Sequence, residues 1–168
     1  MRLKESILAN ILILSSSLAL AGAGGGGIEC SRDQDRFKDN GNGTVTDNCT
    51  QLIWLKSADC FGHKNWQIAK SKVKQLAAGR CGLTDGSSAG NWRLPRVKEL
   101  QSLIDFSHAN PALPKGHPFV DVQTYVYWSS TEYASDTNVA WRVDLYDGDV
   151  NTNDKSGTNY VWPVRNQE

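Results

Sequence analysis

The chain contains 168 residues, of which 39% are hydrophobic and 21% are charged, and lysine plus arginine equals aspartate plus glutamate at 18 each. This length fits one ordinary domain, and the composition excludes a disordered chain and a membrane protein with several spans. The formal net charge of zero argues against a nucleic-acid partner bound through overall charge. Six tryptophans and fifteen glycines beside a single methionine predict a turn-rich fold with an aromatic core.

The N-terminal region has the order of a secretory signal peptide. A basic start precedes an apolar stretch over 7–20, and Ala-x-Ala sites end at Ala21 and Ala23. The apolar stretch is shorter than the roughly 20 residues that a transmembrane helix needs. We predict a signal peptide over 1–23, a short linker over 24–35 and a single domain over 36–166. The protein is then secreted, periplasmic or on the cell surface, with an uncleaved anchor as the alternative.

Four cysteines stand at positions 30, 49, 60 and 81. In an exported protein an even number of cysteines predicts two disulfides, and three pairings are open. We favour Cys30–Cys49 and Cys60–Cys81, each closing about 20 residues and stabilising the fold by roughly 3 kcal/mol. A zinc site is disfavoured because the sequence has no C-x-x-C pair.

The region from Arg36 to Leu55 predicts a hairpin followed by a buried strand. Asn-Gly occurs twice between extended segments, and these residues accept the positive φ of tight turns. A calcium loop would need Asp or Asn where Gly41 and Gly43 stand, so the turn interpretation is favoured. The four apolar residues over 52–55 then predict a short buried strand.

Two helices are predicted in the middle of the chain. The first covers 65–78, with Asn65 as its N-cap and Gly79 at its C-terminal end. Its lysines are predicted to form a solvated face, with a patch for polyanions as the alternative: Lys70, Lys72 and Lys74. The second opens around Pro95 in its first turn, and the proline-rich stretch 110–119 is irregular.

The C-terminal third predicts antiparallel strands. Residues 127–131 form one strand, and alternation over 139–146 indicates another with one buried face. Asp147-Gly148 predicts a hairpin turn, and Pro163 implies an edge strand or a bulge. The layout is an α+β fold with two helices packed on a twisted antiparallel sheet.

Asn, Asp and Tyr side chains are concentrated in this C-terminal region, and these types build adaptable recognition surfaces on rigid scaffolds. We therefore predict that the C-terminal sheet and its loops bind an extracellular glycan or protein. The candidate ligand-binding residues are Tyr133, Asp136, Asn138, Arg142, Asp144, Tyr146, Asp149, Asn151 and Asn153.

A calcium-dependent carbohydrate site is an alternative in the same region. Asp147, Asp149, Asn151 and Asn153 recur at every second residue, so on a strand they would share one face and offer oxygen ligands. A solvated strand face is the favoured interpretation. We therefore predict no metal site and no cofactor, and keep calcium as a hypothesis.

Several motifs together resemble the Lcl C-terminal domain family, which is named after the C-terminal domain of a bacterial collagen-like adhesin. They are Asn40-Gly41-Asn42-Gly43-Thr44-Val45-Thr46-Asp47, Leu52-Ile53-Trp54, Cys81-Gly82-Leu83-Thr84-Asp85-Gly86, Trp92-Arg93-Leu94-Pro95, Tyr127-Trp128-Ser129-Ser130-Thr131 and Val164-Arg165. The resemblance implies a C-type-lectin-like fold related to formylglycine-generating enzymes, a Cys60–Cys81 pairing and sulfated glycans as ligands. It also allows a homo-oligomer.

Within that fold, the recurring aromatic motifs are interpreted as structural. The predicted core residues are Trp54, Trp92, Leu94, Trp128, Trp141 and Trp162. Arg93 is expected to be a partly buried hydrogen-bonding residue.

An enzymatic function is disfavoured at the level of sequence. The formylglycine-generating relatives use late cysteines, and this chain has none after Cys81. His63, His108 and His117 are scattered, and no G-x-S-x-G motif occurs. We expect a non-enzymatic binding or adhesion domain. A second hypothesis is a surface diversified by a retroelement, which a near-copy of the 3′ end of the gene beside a reverse transcriptase would support.

Overall fold

The computed structural model describes residues 36–167. The predicted signal peptide and linker, with Cys30, lie outside the described residues. The elements in chain order are β1 (Phe37–Asp39), β2 (Thr44–Asp47), β3 (Leu52–Leu55), β4 (Lys64–Asn65), α1 (Trp66–Lys74), α2 (Val97–Gln101), β5 (Val126–Tyr133), β6 (Asp136–Asp144), β7 (Val150–Asp154), β8 (Thr158–Asn159) and β9 (Val164–Asn166).

The strands form separate antiparallel sheets rather than the single sheet that the sequence predicted. The first has the order β1-β2-β3-β9, the second has the order β5-β6-β7, and β4 pairs with β8 as a two-stranded ladder. The α+β class is therefore confirmed, and the single-sheet arrangement was wrong. The division arises because β3 pairs with the end of the chain and not with the next strands in sequence.

The N-terminal hairpin forms where the Asn-Gly repeats predicted it. In the turn, the Asn40 side-chain amide donates to the hydroxyls of Thr44 and Thr46 at 2.8 and 3.0 Å. Gly43 has φ +84, and a Cβ atom there would lie 2.4 Å from the Gly82 carbonyl oxygen. Glycine at this position therefore lets the hairpin approach the loop that follows Cys81.

Helix α1 begins where predicted and ends earlier. The Asn65 side chain accepts from the Ile68 amide at 2.9 Å, which confirms its N-cap role. The helix ends at Lys74 because Gln75 is its C-cap. Gly79 instead belongs to a turn in which its amide donates to the Leu83 carbonyl.

Helix α2 is shorter than predicted and begins after Pro95. Arg96 is its N-cap, and the Glu99 carboxylate accepts from the Arg96 amide at 2.7 Å. The Pro95 carbonyl accepts from the Ser130 amide at 2.7 Å, which attaches the approach to α2 to β5. The proposed role of Pro95 in the first helical turn was therefore wrong. Residues 110–119 carry no helix or strand, as predicted.

Aromatic rings dominate the core. Trp162 lies in edge-to-face contact with Trp54 at 5.5 Å and with Phe119 at 4.8 Å, and its indole donates to the Leu55 carbonyl at 2.8 Å. Edge-to-face pairs stabilise a core beyond simple area burial. Of the predicted core residues, those that are buried are Trp54, Trp92, Leu94, Trp128 and Trp162.

Trp141 departs from its predicted core role. It is only partly buried, and Tyr133 contacts its ring edge-to-face at 5.7 Å. The pairing of β5 with β6 shifts register between Trp128 and Glu132, which breaks the simple alternation predicted for β6. Ala140 is buried in this part of the strand.

Two buried carboxylates are paired with arginine side chains. Asp47 is 0% exposed in its side chain, and the Arg36 guanidinium donates to both of its carboxylate oxygens at 3.0 and 2.8 Å. Arg165 contacts Asp85, which is 1% exposed, at 3.3 Å. Since a buried carboxylate is costly without a partner, these pairs hold the first sheet and the loop after Cys81 in place.

The Cys60–Cys81 disulfide is present, as predicted, and ties the segment before β4 to that loop across a separation of 21 residues. No cysteine among residues 36–167 is free. The Cys30–Cys49 pairing stays a prediction because Cys30 lies outside the described residues.

The close approach of the hairpin to the loop gives a stability prediction. Gly43→Ala should lower the free energy of unfolding by about 3 kcal/mol, because the methyl group meets backbone and positive φ is strained. Gly41→Ala is the matched control, since Gly41 has φ +71 and open space around its Cβ position. It should cost only about 1 kcal/mol. Urea denaturation measures both, and equal losses would contradict the packing explanation.

Candidate functional site

A small groove of about 100 Å³ lies between α1 and β5, lined by Lys70, Lys74, Arg93, Leu94 and Ser130. Three of its five lining residues are cationic side chains, although the whole chain is neutral. Such a local concentration of positive charge can attract an anion that the net charge would not.

Helix geometry decides which of the predicted lysines belong to the groove. Lys70 and Lys74 are four residues apart and therefore lie on the same face of α1. Lys72 projects elsewhere and is exposed, and it is not among the lining residues. The predicted patch of three lysines is thus divided, with two members at the groove and one away from it.

The buried Trp66 ring packs beneath the side chains of Lys70 and Lys155. Lys70 Nζ lies 4.0 Å and Lys155 Nζ 4.3 Å from the Trp66 ring centroids, which are cation–π contacts. The indole of Trp66 donates to the Ser129 carbonyl at 2.8 Å. This buried ring therefore fixes the start of α1 against β5 and presents Lys70 beside it.

The two cations above Trp66 differ in their electrostatic partners. Lys155 contacts the Glu132 carboxylate at 2.7 Å. The hydrogen bond from Lys155, its charge and the charge of Lys70 lower the pKa of Glu132. Among residues 36–167, neither Lys70 nor Lys74 has an ion pair within 4.0 Å. These two ammonium groups therefore carry positive charge without an ion pair beside the groove, whose own lining is mainly apolar.

Arg93 forms the opposite wall and is fixed by its own partners. Its guanidinium donates to both Glu99 oxygens at 2.7 and 2.8 Å and to the Asn166 side chain at 3.0 Å. Burial tends to raise the pKa of Glu99, but hydrogen bonds from Arg93 and the Arg96 amide, with both guanidinium charges, outweigh it and lower the pKa. The predicted hydrogen-bonding role of Arg93 agrees with this geometry.

The predicted ligand residues of the C-terminal sheet fall into separate places. Tyr133, Asp136 and Asn138 are exposed near the β5–β6 connection. Tyr146 is exposed at 54% beyond the end of β6. Asn153 is partly buried, and its side chain donates to the Asn159 side chain at 3.2 Å.

A second group surrounds Arg142 on β6. Its guanidinium lies 3.1 Å from Asp149 and 3.9 Å from Asp144, and Asn151 is its cross-strand partner on β7. Paired residues on antiparallel strands project to the same face. The structure thus brings Arg142, Asp144, Asp149 and Asn151 together, and the Tyr146 amide donates to the Asp144 carboxylate at 2.9 Å.

The carboxylates of the calcium hypothesis have other neighbours. Asp149 is paired with Arg142, and an Asp147 oxygen accepts from the Asp149 amide at 2.9 Å. Within the described range 36–167, no group of three or more His, Cys, Asp or Glu residues could hold a metal ion. The same range contains no helix long and apolar enough to cross a membrane.

The sequence did not predict that Ser130 lines the groove with Lys70 and Lys74, or that Lys155 contacts the same Trp66 ring as Lys70. Ser130 lies in the motif 127–131, which was interpreted as structural. Lys155 follows a turn-prone run of Asn and Asp and gives no local signal. The spacing of Lys70 and Lys74 predicts that they share one face of α1. It does not predict which strand lies opposite that face.

The Arg93–Glu99 pair predicts a pH-dependent contribution to stability. The folded pKa of Glu99 lies below its ordinary value of 4.5, so its stabilisation is present above that pH and is lost as pH falls through the folded pKa. Glu99→Gln should therefore cost roughly 0.5 kcal/mol at pH 7, because the pair with Arg93 is partly exposed, and the difference from the parent should shrink below pH 4. Chemical denaturation at both pH values measures it, and a constant difference would contradict the assignment.

A family model matches most of the chain. The matching family is the Lcl C-terminal domain, over residues 43–165, a range that includes all five groove residues. The match agrees with the motifs quoted above. A search of curated proteins finds no match. The protein belongs to the Lcl C-terminal domain family.

Proposed function

We propose that this protein is an exported, non-enzymatic binding and adhesion domain that holds an anionic group of an extracellular glycan in the α1–β5 groove. The carrying observation is that Lys70 and Lys74 line one groove without ion-pair partners in the described part of the chain. Family membership supports an adhesin-like role. The few helices and the antiparallel sheets are compatible with the C-type-lectin-like variety of fold that we propose.

The groove suits a sulfate or carboxylate for electrostatic and geometric reasons. Two ammonium groups supply charge from one helix face, and Ser130 lies on β5 at the same groove. Arg93 is already neutralised by Glu99, so it shapes the wall and adds less net charge. Because Lys74 is exposed and Lys70 is only partly buried, attraction to a polyanion should weaken strongly at high salt.

Export is supported by the Cys60–Cys81 bond. Disulfides persist in oxidising compartments and are rare in cytosolic proteins. This is compatible with a secreted, periplasmic or surface location.

The C-terminal sheet is a second candidate surface, and here we propose a protein ligand. Tyr133 covers the partly buried Trp141, and Asp136 and Asn138 are exposed nearby. Amphipathic aromatic and amide side chains of this kind suit protein recognition. The hypothesis of a diversified surface concerns the same residues.

The groove assignment predicts the loss of polyanion binding in one double variant. Lys70→Glu combined with Lys74→Glu should weaken heparin binding at least about tenfold at 50 mM salt, because both ligand-facing charges are reversed. Lys72→Glu with Lys115→Glu is the charge-matched control, since Lys72 and Lys115, which lies in the irregular stretch 110–119, are exposed and do not line the groove. It should bind within about twofold of the parent. Calorimetric titration measures affinity, and thermal melting verifies that each variant is folded.

Equal weakening in the two double variants would show that only overall charge matters and would refute the groove. Retained binding in the first variant would refute it as well. Lys70→Gln with Lys74→Gln should give an intermediate loss. Added chelator should leave heparin binding unchanged, whereas loss with chelator would support the calcium hypothesis instead.

A further inference from the structure

A second surface, distinct from the groove, carries three aromatic side chains in mutual contact. His63 lies 4.0 Å from Tyr160 and 5.9 Å from Tyr125 between ring centroids, and the two tyrosines are 6.3 Å apart. Tyr125 is 56% exposed, His63 is exposed and Tyr160 is partly buried. We call these three residues the aromatic patch.

The backbone holds this patch rigidly. His63 directly precedes β4, Tyr125 directly precedes β5 and Tyr160 directly follows β8. The Tyr160 amide donates to the Val126 carbonyl at 3.0 Å, and its carbonyl accepts from the Trp128 amide at 3.0 Å. The buried Tyr127 ring lies 5.4 Å beneath Tyr160. A ligand would therefore meet ordered rings, which reduces the entropic cost of binding.

The polar atoms of the patch are available to a ligand. Within residues 36–167, neither the Tyr125 and Tyr160 hydroxyls nor the His63 ring nitrogens take part in a hydrogen bond. Each can donate or accept. The patch thus combines apolar ring faces with polar edges. A sugar ring has the complementary features, because its faces carry C–H groups and its edges carry hydroxyl groups.

Nearby charges argue that the ligand is neutral. Burial, and after it the negative charges of Asp59 and Asp121, raise the pKa of the neighbouring Tyr127. One Asp59 oxygen is buried and, among the described residues, has no hydrogen-bond partner. Lys64 is the adjacent cation, with its ammonium bonded to the His63 carbonyl. The Asp59 carboxylate and the Lys64 ammonium both lie beside His63, at 3.9 and 4.0 Å from the Cβ position of Gly62, so this side of the patch has no excess positive charge for a sulfated sugar.

We propose that the aromatic patch is a binding site for one neutral pyranose ring of a glycan. The sugar stacks its C–H face on the exposed Tyr125 ring, and the His63 nitrogens and Tyr160 hydroxyl bond to its hydroxyl groups. The site shares no residue with the α1–β5 groove, so it stands whether or not the groove binds anions.

The test uses separate titrations with the neutral oligosaccharides cellotetraose, chitotetraose and maltotetraose. At least one should bind the parent protein, with nuclear Overhauser contacts between sugar ring protons and the Tyr125 ring. Tyr125→Ala should weaken that binding about tenfold, while Tyr125→Phe stays within about twofold because it keeps the ring face. Phe106→Ala is the matched control, since Phe106 is an aromatic residue that is 72% exposed elsewhere.

Each outcome decides the proposal. Absence of binding by all three oligosaccharides, unchanged binding in Tyr125→Ala, or equal weakening in Phe106→Ala would overturn it. If Tyr125→Ala melts at a much lower temperature, the contacts to the Tyr125 ring in the parent protein decide instead. The variant Lys70→Glu with Lys74→Glu should bind the neutral sugar normally, which separates this proposal from the groove.

Discussion

The segment 159–166 at the end of the chain connects all parts of this fold, and the positions of both candidate sites depend on it. Trp162 fills the aromatic core, and Val164 pairs with Trp54 on β3 while exchanging backbone hydrogen bonds with Arg93. Tyr160 bonds through its backbone to β5. Because buried backbone groups must be satisfied, a shift of this segment would leave unpaired groups in both sheets at once.

The groove is built from segments that this connection brings together. Arg93 is held by the backbone of Val164 and by the side chains of Glu99 and Asn166. Ser130 is fixed through the Pro95 carbonyl, and α1 is fixed by the Trp66 indole on β5. The lysines therefore face a wall that is already ordered, and binding an anion would require little rearrangement beyond the two flexible lysine side chains. The aromatic patch depends on the same segment through Tyr160.

Local features of the fold could be predicted from sequence because their causes are local. The hairpin follows from Asn-Gly turns, and the start of α1 follows from the Asn65 cap. The end of α1 could not be predicted, since the Gln75 and Leu76 amides bond three residues back and the Ala78 amide donates to the Ser87 carbonyl, a partner remote from the helix. Trp141 was misplaced because its exposure depends on a register shift in β5, and strict alternation has no signal for such a shift.

The candidate site was predictable only in part, for the same reason. The spacing of Lys70 and Lys74 places them on one helix face, whereas Lys155 and Ser130 reach that face through pairings remote in sequence. The measurement that tests the central claim most directly is an amide chemical-shift titration of the protein with a heparin oligosaccharide. Our account predicts the largest shifts at Lys70, Lys74, Arg93 and Ser130. Shifts concentrated over residues 133–154 would contradict it and place the ligand on the C-terminal sheet.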